Sequence, residues 1–206
     1  SQDIISRCPH FQRLAHDPGL NRLAEGYLGA TPTITILTAW WTFPTNLPPV
    51  GSDLFHHDRD DFKSVKLFLY LTDVECDDGP HVFIPRTHDF TTLIRAVYRL
   101  IEHDPGRKAD FALWLEEHRK SDEQVTQFFT PSEILEITGN SGTSFFEDTR
   151  GLHKATQPRR NPRLVFQICY GLLPKGFVDY RPIERAHASA GKPDTRTEFT
   201  TRLYYV

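Results

Sequence analysis

The chain has 206 residues, with 24 lysines and arginines against 27 aspartates and glutamates, a formal net charge of −3 and a sequence pI near 6.3. A whole-molecule field of that sign gathers neither phosphate backbones nor anionic headgroups, so nucleic acid is not expected as a partner. No apolar run approaches the roughly 20 residues of a membrane-spanning helix, and the N-terminal residues lack the basic-then-apolar order of a signal peptide.

A soluble protein with no membrane partner is therefore expected. Its three cysteines, Cys8, Cys76 and Cys169, are odd in number and widely spaced, without a C-x-x-C pair. They suggest neither a disulfide framework nor a thiolate zinc site, and a reducing cytoplasm fits them best. No Gly/Ser linker or break in composition divides the chain, so residues 1–206 read as a single domain. Methionine is absent altogether, which points to a processed product or a segment of something longer. The sequence carries no signal of oligomeric state.

Residues 1 to about 28 place Ile4, Ile5, Phe11, Leu14, Leu20, Leu23, Ala24 and Leu28 at helical spacing, interrupted near Pro18-Gly19. Short N-terminal helices are expected there. From Thr31 the run Thr-Ile-Thr-Ile-Leu-Thr-Ala-Trp-Trp-Thr-Phe is β-branched and aromatic, favouring a strand that the prolines at 44, 48 and 49 close. Further strands are read at Ser64–Thr72, His81–Ile84, Ile134–Ile137, Thr143–Phe146, Arg163–Tyr170 and Thr200–Tyr205. This rhythm is broken once, between about Thr91 and Phe129, where Leu93, Ile94, Val97, Leu100, Ile101, Phe111, Leu113 and Leu115 sit among charges and predict a helical insert. Short strands, polar turns, a helical entry and one helical excursion indicate a mainly β jelly-roll or cupin-type barrel rather than alternating βαβ units. No G-x-G-x-x-G follows a strand, which disfavours a doubly wound fold.

Three segments carry chemistry. In Leu54-Phe55-His56-His57-Asp58 an extended backbone sends His56 and Asp58 to one side and His57 to the other. In Asp148-Thr149-Arg150-Gly151-Leu152-His153, just beyond a strand, a second imidazole can arrive from across the barrel. Two imidazoles and one carboxylate bound to one face of an ion leave its other face open, which suits iron(II) handling dioxygen with an organic co-substrate. A fourth protein ligand would close the site into a structural one. In the third segment Arg163 opens an apolar strand, a costly position for a guanidinium unless it meets an anion inside the barrel, such as the far end of a dicarboxylate.

Taken singly, each feature has an ordinary reading. H-x-D occurs by chance, and Arg163 with Arg159 and Arg160 could form a solvated basic turn. Their order along the chain raises the metal reading: H-x-D before a long strand, a histidine much later, then the arginine. On the strand after H-x-D, Lys66, Phe68 and Tyr70 share one face and Leu67, Leu69 and Leu71 the other. If the leucines pack outward against helices, the first three look into the barrel; a wet Lys-Tyr face is the competing reading. His81 and His88 read as structural.

The run Phe55-His56-His57-Asp58-Arg59-Asp60-Asp61-Phe62-Lys63-Ser64-Val65-Lys66-Leu67-Phe68-Leu69-Tyr70-Leu71-Thr72-Asp73-Val74 resembles the first ligand loop and following strand of the phytanoyl-CoA dioxygenase family of iron(II)/2-oxoglutarate oxygenases. Asp78-Gly79-Pro80-His81-Val82-Phe83-Ile84-Pro85-Arg86-Thr87-His88 is similar to that family's G-P-x-x-x-x-P-x-S/T-H segment, and residues 148–170 resemble its distal-histidine loop and arginine strand. The likeness covers about residues 30–90 and 130–172. It implies a double-stranded β-helix, His56, Asp58 and His153 as iron ligands, and Arg163 as partner of the 2-oxoglutarate C5 carboxylate. The family often has a hydroxyl residue two positions beyond the distal histidine. This chain has Ala155 there, and Thr156 is the substitute candidate.

The implied activity is oxidative decarboxylation of 2-oxoglutarate by dioxygen, giving succinate and carbon dioxide, coupled to hydroxylation of an unactivated C–H of a small molecule. Lys66 and Tyr70 are further candidates for contact with the co-substrate. Asp58 favours hydroxylation over halogenation, because halogenases of this architecture put a small residue in place of the carboxylate. Two rival classes stay open: a metal-dependent cupin that does not use 2-oxoglutarate, and a non-catalytic binding module on the same fold. Whether the substrate is a coenzyme A thioester or a free small molecule is not readable.

Overall fold

The structure, a computed structural model, describes residues 8–59 and 61–173. The strand expected at Thr200–Tyr205 and the positions Ile4 and Ile5 lie outside the described residues.

Two short helices open the fold, α1 (Pro9–Ala15) and α2 (Pro18–Leu28). Pro18 sits in the first turn of α2, where its missing N–H costs nothing. The side chain of Asp17 caps that turn by accepting from the Gly19 and Leu20 amides at 2.8 and 2.9 Å. Gly29, with φ of 81°, ends the helix in the left-handed conformation that glycine adopts without penalty.

Strands β1 (Thr33–Thr42), β2 (Ser64–Tyr70), β5 (Ser144–Glu147) and β7 (Arg163–Gly171) form one antiparallel sheet in the order β1-β7-β2-β5. Strands β3 (His81–Phe83), β4 (Leu135–Ile137) and β6 (His153–Ala155) form a second antiparallel sheet in the order β4-β3-β6. Between β3 and β4 the expected insert is helical: α3 (Phe90–Ile101), α4 (Lys108–Glu116) and α5 (Asp122–Thr126). Strand β6 was not read from the sequence, because three residues are too few to show a period.

Burial separates the two faces of the large sheet. Val65 and Leu67 of β2 and Phe166, Ile168 and Tyr170 of β7 pack with Ala15, Ala24 and Leu28 of the N-terminal helices, and Leu69 and Leu71 lie at the edge of this cluster. Phe11 stacks on Phe166 with ring centroids 4.1 Å apart. Each large apolar side chain withdrawn from water here contributes about 1.5–3 kcal/mol. The leucines thus pack outward, and Phe68 and Tyr70 join Val165 on the inner face. A separate cluster under the insert unites Phe55, Val82, Ile84, Leu152, Phe111, Trp114 and Phe128. Leu23 and Leu113, read on helical faces from spacing, are 62% and 67% exposed, so those apolar stripes are narrower than the sequence pattern suggested.

Candidate metal and co-substrate site

Two backbone bridges build the site. His56 and His153 exchange N–H···O bonds of 2.9 and 3.1 Å, which ties the ligand loop to the start of β6. On the loop's other edge Phe55 and Lys120 exchange bonds of 2.9 and 2.8 Å. Side chains alternate along the loop, so Phe55 enters the core under the insert while His56 turns the opposite way. The Asp58 amide donates to the Thr149 carbonyl at 2.8 Å, which fixes the next inward position.

The three residues singled out from the sequence, His56, Asp58 and His153, are brought together, with one ligand atom from each lying within 4.8 Å of the others. Asp58 Oδ1 is 3.8 Å from His56 Nε2, Asp58 Oδ2 is 3.8 Å from His153 Nε2, and the two imidazole centroids are 4.3 Å apart. Each ring is oriented by the carbonyl two residues before it. His56 Nδ1 lies 2.8 Å from the Leu54 oxygen and His153 Nδ1 lies 3.0 Å from the Gly151 oxygen. A carbonyl only accepts, so Nδ1 carries the proton in both rings, and each neutral imidazole presents its Nε2 lone pair towards Asp58.

Burial pushes His153 well below the ordinary histidine value against the pull of Asp58, and it lowers His56 as well. Both are therefore neutral, the form that binds a metal. Burial opposes ionisation of Asp58, but the Lys66 ammonium, by its charge and its hydrogen bond, outweighs it and holds the carboxyl well below its usual range. The group is a carboxylate. Nitrogen and carboxylate donors in this number, with nothing else required of the protein, fit a divalent iron with positions left over.

Of the other candidates, Lys66, Tyr70 and Arg163 share the inner face with Phe68 and Val165. Lys66, 8% exposed, ion-pairs directly with Asp58 Oδ2. Arg163 begins β7 opposite Thr42, whose hydroxyl is 3.4 Å from one guanidinium nitrogen. It is 2% exposed, its Nε is buried without a hydrogen-bond partner, and no carboxylate among the described residues lies within ion-pair distance. Burial lowers its pKa, with Tyr70 and Asp53 working the other way. Tyr70 donates its hydroxyl to the Ile137 carbonyl at 2.7 Å and accepts from the His81 amide at 3.0 Å, so it is a fixed wall beside Arg163. Thr156 lies just past β6, where its amide donates to the Pro80 carbonyl at 3.2 Å, and no hydrogen bond joins its hydroxyl to Arg163 or the triad.

Two side chains given no site role from the sequence adjoin the triad. Glu147, opposite Lys66 in the β2–β5 ladder and 4% exposed, sits 2.6 Å from His81 Nε2 and 3.9 Å from His153 Nδ1. The His81 ring stacks beside that of His153, with centroids 5.7 Å apart, and leans on Phe68 at 4.8 Å. His81 was read as structural; it is not one of the three converging groups, but its ring lies beside that of His153. Only the cross-strand register brings Glu147 here, and a single strand's pattern does not contain it.

No protein-family model and no curated protein matches the chain. Solved structures do. The non-haem alpha-ketoglutarate-dependent epimerase SnoN from nogalamycin biosynthesis matches with a TM-score of 0.52 at 18% identity, over 89% of this chain and 66% of that one. EctD from S. alaskensis, solved with bound iron, gives 0.55 at 18%, over 93% and 64%. HygX from Streptomyces hygroscopicus, solved with nickel and 2-oxoglutarate, gives 0.50 at 17%, over 85% and 69%. This chain spans about two thirds of the length of each. At these identities the likeness is one of fold: the chain shares its antiparallel two-sheet architecture with iron- and 2-oxoglutarate-dependent enzymes of the phytanoyl-CoA dioxygenase-like type.

Proposed function

We propose that this chain is a cytoplasmic iron(II)- and 2-oxoglutarate-dependent dioxygenase that hydroxylates an unactivated C–H of a small molecule, with residues 1–206 forming one catalytic domain. Its two sheets would be the halves of a double-stranded β-helix barrel. The observation that carries the reading is Arg163: a buried guanidinium with no counter-ion among the described residues, on the interior that also holds the His-Asp-His triad. An uncompensated buried charge costs several kcal/mol, and a dicarboxylate spanning from Arg163 to the triad would neutralise it. A cupin that does not use 2-oxoglutarate would leave that cost unexplained, and a non-catalytic module would leave the oriented triad unexplained.

His56, Asp58 and His153 would hold iron(II), which when bound supplies the activation of dioxygen that 2-oxoglutarate decarboxylation drives. The chain's own part is positional. The Leu54 and Gly151 carbonyls aim the two Nε2 lone pairs, and Lys66 keeps Asp58 ionised. Arg163, backed by the Tyr70 wall, takes the distal carboxylate, and Lys66 and Thr156 are further contacts offered to the co-substrate. Phe68, Phe145 and Val165 line the interior between them and keep water from it.

The test is an anaerobic titration of the metal-free protein with iron(II) and then 2-oxoglutarate. A weak visible charge-transfer band is expected after the second addition, and its absence from the wild-type protein overturns the proposal.

A further inference from the structure

The strand that carries His56 has a neighbour on each edge. Its pairing with β6 sets His56 opposite His153. Its pairing with the end of the helical insert sets Phe55 opposite Lys120. Arg119 is the residue just before that bridge; it lies in a bend and is half-buried. The bridge thereby holds Arg119 next to the segment that carries His56.

Phe55 itself is buried under the insert, with the Lys154 ammonium 5.0 Å from its ring centre. Arg119 Nη1 is buried and has no hydrogen-bond partner among the described residues. Its charge acts on His56, depressing that ring's basicity after burial itself, and together with Arg59 it also acts on His118. A guanidinium whose charge reaches His56, with a buried donor left without a hydrogen-bond partner among the described residues, is suited to anchor an anion.

We propose that Arg119 binds an anionic oxygen group of the primary substrate, so that the small molecule brought to the centre carries a carboxylate or a phosphate. The placement rests on the oxygenase reading above; the anion site itself belongs to the fold and does not need the metal. Arg163, at the start of β7, is the separate anchor for the co-substrate.

The experiment is calorimetric titration of inorganic phosphate, and separately of acetate, into the full chain without metal and into the chain loaded with nickel(II) and 2-oxoglutarate. We expect the wild-type protein to bind at least one of the two anions, the preferred one naming the group. Arg119→Gln should weaken that binding by about ten-fold or more, as loss of a charge-assisted hydrogen bond does, while 2-oxoglutarate affinity stays within about two-fold. Arg119→Lys, which keeps the charge but not the fork, should fall between the two and serves as the informative variant if Arg119→Gln fails to fold. Three results overturn the proposal: neither anion binds the wild-type protein, the variants bind it as tightly as wild type does, or 2-oxoglutarate loses as much affinity as the added anion. Anion binding that depends on Arg119 in a protein that takes up neither nickel nor 2-oxoglutarate would sink the oxygenase reading and leave the anion anchor standing.

Discussion

Lys66 ion-pairs with Asp58 at the oxygen that also lies 3.8 Å from His153 Nε2, so a metal ion held by the triad would compete with the ammonium for one carboxylate. Replacing Lys66 by methionine keeps most of the volume and removes the charge, leaving Asp58 buried and short of its main counter-charge. We expect Lys66→Met to destabilise the metal-free protein by about 3 kcal/mol, in keeping with breaking a buried ion pair. Divalent metal neutralises Asp58 and should restore most of that loss. Thermal melts with and without nickel(II) check this: the gap between the two melting temperatures should widen relative to wild type, and an unchanged gap contradicts the competition.

Arg163→Ala separates the two halves of the site. Iron(II) affinity should be nearly unchanged, because Arg163 touches none of the ligands, whereas 2-oxoglutarate binding should weaken by about a hundred-fold, the scale of one lost bidentate charge pair of roughly 3 kcal/mol. The readout is the midpoint of the charge-transfer titration. Equal loss of both affinities would contradict the assigned role.

The loop behind Asp58 is anchored by a side chain from α2. Tyr27 donates its hydroxyl to Asp148, Arg150 grips the same carboxylate, and the neighbouring Thr149 carbonyl receives the Asp58 amide. Burial and then Asp148 push the Tyr27 hydroxyl up to about 12, so it remains a donor at any working pH. Tyr27→Phe should cost about 1.5–3 kcal/mol in urea unfolding. It should also speed hydrogen exchange at the Asp58 amide, which a purely local loss at α2 would leave alone.

His16, His56, His57, His118 and His153 all lie below the ordinary value of 6.5, with burial as the largest cause for each. Between those depressed values and 6.5 the unfolded chain binds protons that the folded chain refuses. The stability these groups supply is therefore complete above 6.5 and is lost as pH falls from there towards the folded values. Melting temperatures of metal-free protein should fall steadily from about pH 6.5 to about pH 5, and a His56→Gln/His153→Gln double variant should show a shallower slope.

Gly79 meets two demands that no other residue can. Its φ is 75°, and a Cβ at that position would stand 2.5 Å from the Thr156 carbonyl oxygen. Gly79→Ala should cost about 2 kcal/mol or more from the left-handed backbone and the clash together, measured by urea unfolding. A cost below about 0.5 kcal/mol would mean that the turn rearranges freely.

How much of this was legible before the fold was known differs from residue to residue. His56 and Asp58 share a face by the period of an extended chain, so their convergence could be read from H-x-D alone. The direction of Lys66, Phe68 and Tyr70 was undecided in the strand pattern. It is settled by the leucines and Val65, which pack under α1 and α2. Glu147 could not be read at all, because it reaches the site only through Lys66, its ladder partner far away in sequence, and Arg119 nears His56 only because the next residue bridges to Phe55. His81 carried a structural reading because it is out of ligand register, and that remains true. Its place behind His153 depends on the pairing of β3 with β6, which a three-residue strand does not announce.

The bridge between Phe55 and Lys120 is made of peptide groups alone, and peptide groups are indifferent to the side chains they carry. Position 119 can therefore be rewritten without loosening the strand that presents His56. If Arg119 anchors the substrate as proposed, exchanging that one side chain would redirect the centre to a different recipient, while the triad, its carbonyl supports and the arginine at the head of β7 stay as they are.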